Sequence, residues 1–173
     1  MPTAEQSGAC DGGDEECGRA KLTVMATIEY VRDLVGRDHG LAVVVTPRAD
    51  GSPQASIANA GVLAHPVRGE PVVGLVARGD SRKQANLRRR PRATVVFRAG
   101  WEWVAVEGPV DLAGPDDPLE GLDAGRVPQL LREVFSAAGG THDDWDEYDR
   151  VMTAERRVAV LVEPERVYSN PGM

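Results

Sequence analysis

Apolar positions recur at helical spacing in three stretches of the chain, which predicts three amphipathic helices. The first helix is predicted to end near Gly36 and the second at Gly139-Gly140. Thr141 and Asp144 have the spacing of a capping box, so the third helix is predicted to open there. The apolar positions are Val24, Ile28, Val31 and Val35 in the first helix, Val127, Leu130, Leu131, Val134, Phe135 and Ala138 in the second, and Trp145, Tyr148 and Met152 in the third.

Shorter segments rich in β-branched residues are typical of strands. They run from Leu41 to Thr46, Gln54 to Ala60, Pro71 to Ala77, Ala93 to Phe97, Glu102 to Leu112, Arg157 to Val162 and Arg166 to Ser169. Turn residues at 49–52 and 98–100 join two pairs of them into hairpins. Strands and helices do not alternate regularly, and no G-x-G-x-x-G follows a strand, which argues against a doubly wound parallel sheet. The pattern predicts an α+β fold built as a closed barrel.

Positive charge is concentrated in one segment, which we call the basic segment. Residues 81–101 hold seven of the chain's twenty Lys and Arg residues and no Asp or Glu. These seven are Arg82, Lys83, Arg88, Arg89, Arg90, Arg92 and Arg98. The remaining residues carry all 27 acidic groups, so a net charge of −7 divides into +7 on the basic segment and −14 elsewhere. This contrast favours binding of an anion.

A short helix is predicted inside the basic segment, with Ser81 suited to cap its start and Pro91 following Arg90 at its end. The start of a helix presents unpaired backbone N–H groups and the positive end of the dipole, which suits a phosphate. Lys83 is locally unfavourable in that first turn, and a bound anion would explain its position. The arginines at 88–92 have two interpretations: further anion contacts, or a solvated basic helix end.

The length, the composition and the cysteine positions exclude several classes of protein. A length of 173 residues suits one domain, assigned to residues 21–173 after a disordered tail over residues 1–20. No segment resembles a secretion signal or a membrane span, and the acidic surface disfavours nucleic acid, although an acidic protein partner for the basic segment stays open. Cys10 and Cys17 lie in the tail and fit neither a zinc ribbon nor a redox motif. We therefore expect a cytoplasmic protein without a metal site.

Four segments stand in a characteristic order: residues 79–93, 103–110, 147–152 and 156–168. Together they resemble the pyridoxamine 5′-phosphate oxidase-like split β-barrel superfamily, and within it the actinobacterial branch that uses the deazaflavin coenzyme F420. The resemblance covers roughly Thr27 to Asn170. Its most specific part is S-x-K-x-x-N-L-x-x-x-P, which begins at Ser81.

The resemblance implies a six-stranded antiparallel split β-barrel with flanking helices, a homodimer, and a cofactor in the groove between subunits. The family's phosphate-binding lysine matches Lys83, beside Arg82, and Asn86 matches an asparagine near the same groove. Ser81 stands where related proteins carry an arginine or a serine that contacts phosphate. A serine in place of the arginine removes one positive charge, which lowers the expected affinity for the anionic tail.

The strand from Gln54 to Gly61 matches the family's strand beside the cofactor ring, where Ser56 and Asn59 offer polar contacts. Small side chains there predict a roomy pocket, or simply a plain barrel strand. Trp101 and Trp103 fall on one face of their strand, where both are expected either to wall the site or to contact a partner subunit.

The function implied is hydride transfer between F420 and a small organic substrate. No residue is assigned as catalytic, because the cofactor supplies the reactive carbon and the protein supplies positioning. FMN-dependent oxidase or reductase activity on the same barrel is the first alternative, and a non-catalytic carrier of F420 or haem is the second. The longer, more anionic tail of F420 suits seven cations better than the single phosphate of FMN.

Overall fold

The computed structural model describes residues 24–170, and this range contains eight strands, four α-helices and one 3₁₀ turn. In chain order they are β1 (Val24–Met25), α1 (Ile28–Arg37), β2 (Leu41–Pro47), β3 (Pro53–Ala64), β4 (Pro71–Ala77), α2 (Arg82–Arg89), β5 (Arg92–Ala99), β6 (Glu102–Ala113), the 3₁₀ turn (Ala124–Arg126), α3 (Val127–Ala137), α4 (Trp145–Ala154), β7 (Val158–Val162) and β8 (Arg166–Ser169).

Six of the strands close into an antiparallel barrel, which confirms the predicted α+β fold and the six-stranded split β-barrel. The order around the ring is β6, β5, β2, β3, β4 and β7, and β7 pairs again with β6. β8 extends the sheet from the outer edge of β6, and β1 pairs with β8. The predicted hairpins are confirmed as β2–β3 and β5–β6.

Closure depends on two long strands that change partners midway. The first part of β3 pairs with β2 and its last five residues pair with β4. β6 pairs with β5 up to Pro109 and with β7 from Val110 onward. Gly108 lies at this change of partner, where a Cβ atom would overlap the carbonyl of Glu163. Glycine is therefore required at 108 by the close approach of two backbones.

Two apolar cores result, one inside the barrel and one outside it. The inner core joins α1, through Val31 and Leu34, to Val44 and Phe97 on the barrel strands. The outer core packs α3 and α4 against the outer faces of β4 and β7. All five residues of β7 are buried, because this strand carries one core on each face.

Two helix starts differ from the sequence prediction. Val24 belongs to β1, and α1 begins at Ile28, because Thr27 has extended backbone angles and caps the helix with its hydroxyl 3.4 Å from the Tyr30 amide. Asp144 caps α4 by accepting a 2.9 Å hydrogen bond from the Glu147 amide, so the start predicted at Thr141 was three residues too early. The predicted helix that contains Lys83 is confirmed as α2.

The predicted tail, with Cys10 and Cys17, lies outside the described residues. Of the helices between residues 24 and 170, none combines the length and the apolar character needed to cross a bilayer.

Candidate functional site

Helix α2 begins directly after β4, at the position where the basic segment begins. Ser81 caps it, with its Oγ accepting a 3.2 Å hydrogen bond from the Gln84 amide. The first turn holds Arg82 and Lys83 and no acidic residue. The positive end of the helix dipole and two cationic side chains therefore occupy the same place.

Lys83 is the most unusual residue of this turn, because its side chain is buried with only 9% of its surface exposed. Burial lowers the pKa of its ammonium below the ordinary value for lysine. Within residues 24–170, Lys83 forms no ion pair and no side-chain hydrogen bond. A buried cation without a counter-charge is costly, so an anion in contact with Lys83 would stabilise its charged form.

A cleft of about 570 Å³ opens in front of this turn. Its cationic end is formed by Ser81, Arg82, Lys83, Arg78 and Arg157. Arg78 and Arg157 come together because β4 and β7 pair with Ala77 opposite Val158. Sequence reasoning missed both arginines, since their proximity depends on a strand pairing between residues far apart in the chain.

One wall of the cleft is the first half of β3, which brings together three of the predicted site residues. Gln54, Ser56 and Asn59 all line it, with Ala58 between them. The amide of Asn59 donates a 2.8 Å hydrogen bond to the carbonyl of His39, which ties this wall to the turn before β2. The β3 wall is therefore mostly polar, with Ile57 as its one large apolar side chain.

Asn86 lies behind the β3 wall and does not line the cleft. Its Nδ2 donates to the Thr46 hydroxyl at 3.1 Å and lies 3.4 Å from Oε1 of Gln54. Thr46 is fully buried on β2. Asn86 thus connects α2 to the hairpin that carries the polar wall, so within one protomer it positions Gln54. Direct contact between Asn86 and a cofactor stays a prediction.

The opposite wall is apolar and comes from α3 and α4, through Val134, Phe135, Ala138, Tyr148 and Met152. Phe135 and Tyr148 pack with ring centroids 5.1 Å apart. The Tyr148 hydroxyl donates a 3.1 Å hydrogen bond to the carbonyl of Leu131, and burial raises the pKa of this phenol to about 12. Tyr148 therefore stays neutral and serves to hold the two helices together.

Trp103 lies on the outer surface of the barrel, away from the cleft of its own protomer. Its ring packs edge-on against Tyr168 of β8 at a centroid distance of 6.1 Å. Trp101 is 84% exposed in the turn between β5 and β6. Neither tryptophan lines the cleft. A contact between Trp103 and a cofactor would have to be made across a subunit boundary, and it stays a prediction.

Most of the other cations of the basic segment bind protein groups outside the cleft. Arg88 pairs with Asp117, and Arg92 pairs with Glu165. Arg90 donates to the carbonyl of Ala49, and Arg98 donates to that of Gly100. Only Arg82 and Lys83 of the seven line the cleft. The interpretation of residues 88–92 as a basic helix end thus describes their contacts better than the anion-binding one.

Metal-binding side chains do not cluster in the part of the chain that the structure describes: no group of three His, Cys, Asp or Glu side chains is placed to hold a metal ion. His65 is buried, but its Nε2 lies 3.2 Å from Asp111 and its Nδ1 accepts the backbone amides of Val67 and Arg68. This histidine fixes the turn between β3 and β4.

The helices and strands that form the cleft all fall within the sequence model of a known protein family. Residues 29–170 match the sequence model of the pyridoxamine 5′-phosphate oxidase family. The chain belongs to this family. The match extends from α1 to the end of β8, so it includes the cationic end of the cleft and both of its walls.

Solved structures share the barrel at low sequence identity. A conserved hypothetical protein from Mycobacterium tuberculosis is 23% identical, with a TM-score of 0.61 over 90% of this chain and 94% of that one. A pyridoxamine 5′-phosphate oxidase-related, FMN-binding protein from Nostoc punctiforme is 13% identical, with a TM-score of 0.56 over 80% and 81%. An F420 reductase is 16% identical, with a TM-score of 0.53 over 79% and 94%. These similarities show the fold that this family member shares with them.

Proposed function

We propose that the protein is an oxidoreductase that holds coenzyme F420 in the cleft and transfers a hydride between it and a small organic substrate. The observation that carries the proposal is the buried ammonium of Lys83, which has no counter-charge within residues 24–170 and lines the cleft at the start of α2. Ser81 and Arg82 join it in binding the phosphate of the cofactor.

The remaining surfaces of the cleft fit the rest of such a cofactor. A volume of about 570 Å³ is within the range of small-molecule sites. Gln54, Ser56 and Asn59 provide hydrogen-bonding groups for the edge of a ring, and the α3–α4 wall provides an apolar surface for its face. The cofactor supplies the carbon that gives or takes the hydride, and the side chains of the cleft hold donor and acceptor in contact and keep water out.

FMN is the second candidate cofactor, and the distribution of charge favours considering it. Only two cations of the basic segment line the cleft, and Arg78 and Arg157 are paired with Asp80 and Glu155. Arg82 and Lys83 form no ion pair within residues 24–170, and two unpaired cations suit one phosphate. The seven cations of the basic segment therefore no longer favour F420 over FMN. The preference for F420 rests on the sequence resemblance, since an FMN-binding protein and an F420 reductase both share the fold.

A homodimer completes the proposal, because one outer face of the barrel is apolar. Across β3, β2 and β5 the register aligns Ile57, Val43 and Val96 in one row. The row continues to Ala105 on β6 and Tyr168 on β8. Ile57 is 61% exposed and also lines the cleft. A second copy packed on this row would cover it and close the open side of the cleft, and it would bring its own Trp103 to the boundary.

Titration of the purified full-length protein with F420, FMN and haem tests the cofactor. We expect F420 to bind most tightly, and Lys83→Ala to weaken F420 binding by about 100-fold, because a charge-assisted contact to phosphate is lost in a buried site. Arg89→Ala is the matched control, since Arg89 is exposed on the same helix and does not line the cleft. Unchanged F420 affinity in Lys83→Ala would refute the role of Lys83.

Measuring substrate turnover distinguishes an enzyme from a non-catalytic cofactor carrier. With reduced F420 we expect consumption of an enone or a quinone above the rate of protein-free controls. Tight F420 binding without turnover of any such acceptor would favour the carrier. A Soret band in the purified protein would favour a haem protein.

A further inference from the structure

A second cavity of about 390 Å³ lies beside the cleft, between the β6–α3 connection and the two helices of the apolar wall. Its lining is mostly apolar: Leu119, Leu122, Val127, Pro128, Leu131 and Met152. Leu131 is buried at its base, whereas Pro115, Pro118 and Thr153 are exposed at its rim. The cavity is thus concave, accessible from solvent and of ligand size.

The charged residues around this cavity are all neutralised by the protein itself. Asp149 receives hydrogen bonds of 2.9 and 2.6 Å from Arg132. Arg156 donates to Asp116 at 3.0 Å, and Arg157 donates to Glu155 at 2.7 Å. A charged ligand would have to break one of these pairs, whereas a neutral ligand would leave them intact.

One polar group remains available at the rim. The hydroxyl of Thr153 makes no hydrogen bond to any other described residue, and it can donate to a carbonyl of a ligand. The lining therefore selects for an uncharged, largely apolar molecule with a single acceptor, such as an aromatic ketone.

The two cavities share part of their walls. Met152 and Arg157 line both the cleft and the second cavity. Met152 is flexible and only partly buried, so it can adjust to a ligand on either side. A molecule in the second cavity would therefore restrict two side chains that also face the cleft.

We infer that this cavity is a second small-molecule site, which takes an uncharged, largely apolar ligand and whose occupancy changes the affinity of the cleft for its anionic cofactor. Binding at the cavity is independent of the redox role proposed above, whereas the coupling rests on a cofactor in the cleft.

Fluorescence titration of the full-length protein with Prodan, an uncharged naphthyl ketone whose emission shifts to the blue in apolar surroundings, tests the site. Thr153→Trp places a large side chain at the rim, and Leu122→Gln removes apolar lining. We expect either change to weaken Prodan binding at least about tenfold. Val151→Trp is the matched control and should leave it unchanged, since Val151 is 42% exposed on the same helix and does not line the cavity.

A substitution in the cleft distinguishes the two cavities. Ile57→Trp fills the cleft side only and should leave Prodan binding intact. Absence of saturable Prodan binding, or a loss in Ile57→Trp with none in Thr153→Trp, would overturn the site.

The coupling is measured by titrating F420 with and without saturating Prodan. We expect the dissociation constant of F420 to shift by about threefold or more when Prodan is saturating. The dissociation constant of Prodan should shift by the same factor when F420 is saturating. Identical constants would overturn the coupling. Failure of F420 to bind at all would refute the coupling together with the proposed cofactor, and the Prodan results would still decide the site.

Discussion

The guanidinium of Arg88 holds the carboxylate of Asp117 with two hydrogen bonds of 2.8 Å each. The same carboxylate accepts a 3.1 Å hydrogen bond from the buried amide of Gln84, and Arg88 also donates to the carbonyl of Gly79 at 3.2 Å. Asp117 belongs to the β6–α3 connection, yet it is bonded to both ends of α2. One side chain thus fixes the helix whose start forms the cationic end of the cleft.

Asp117→Asn should destabilise the protein by about 2 kcal/mol, because the substitution removes charge-assisted hydrogen bonds from a carboxylate that is only 9% exposed. The measurement is urea unfolding followed by circular dichroism. Asp116→Asn is the control: Asp116 pairs with Arg156 at the surface, and its loss should cost less than about 1 kcal/mol. Equal losses in the two variants would contradict a special role for Asp117.

Asp117 also shows where sequence reasoning stopped. Ser81, Lys83 and the helix they open were predictable, because capping residues, helix formers and a terminal proline are local signals. The partner of Arg88 was not, since Asp117 lies 29 residues further on and its neighbour Asp116 has the same chemistry. The charge of the basic segment was visible in the sequence, but its neutralisation depends on contacts between distant residues.

The pKa of Lys83 gives a second prediction, for pH dependence. Burial holds this pKa below the unfolded value of about 10.4. The folded protein therefore binds fewer protons than the unfolded chain between the two values, so stability of the ligand-free protein rises with pH across that window. Binding of a phosphate needs the protonated form, and affinity should fall as pH rises through the lowered pKa.

We expect the affinity for F420 to fall as pH rises through the lowered pKa of Lys83, below the ordinary lysine value of about 10.4. Lys83→Arg should remove most of this dependence, because a guanidinium keeps its charge throughout. The comparison uses the slopes of the two pH profiles, since the larger side chain also alters absolute affinity. Parallel slopes would show that another group governs binding.

The fold was more accessible to sequence reasoning than the site. Alternating β-branched segments and turn residues identified both hairpins, because these signals act over a few residues. Other features depend on contacts between residues far apart in the chain. They are the closure of the ring by β7, the proximity of Arg78 to Arg157, and the packing of α3 and α4 into an apolar wall. Val24 of β1 was assigned to the first helix because its spacing from Ile28 is helical, but Thr27 caps that helix after Val24.

Gly61 and Gly36 form a matched pair for a third prediction. A Cβ atom at Gly61 would overlap the carbonyl of Ala137 at the end of α3, whereas one at Gly36 meets nothing within 4 Å. Gly61→Ala should therefore force α3 away from β3 and cost about 2–3 kcal/mol. Gly36→Ala, inside α1, should stabilise the protein by about 0.5–1 kcal/mol. Urea unfolding of both variants measures these changes, and similar values for the two would contradict the close packing of α3 on β3.

Ile57 provides the test of the proposed dimer. Ile57→Asp places a charge at the exposed end of the apolar row, where burial against a second copy would leave the carboxylate unpaired and cost several kcal/mol. Light scattering after size-exclusion chromatography should give a dimer mass for the wild type and a monomer mass for the variant. Val151→Asp, an exposed apolar-to-acid change on α4, should leave the dimer intact.

Cofactor binding by a Val96→Asp monomer then shows how much of the site one protomer provides, because Val96 lies in the same row and, unlike Ile57, does not line the cleft. If the partner closes the open side of the cleft, F420 affinity should fall together with the dimer, although Lys83, Ser81 and Arg82 are unchanged. A wild-type monomer that binds F420 normally would contradict the dimeric site, because the cleft of a single protomer would then suffice.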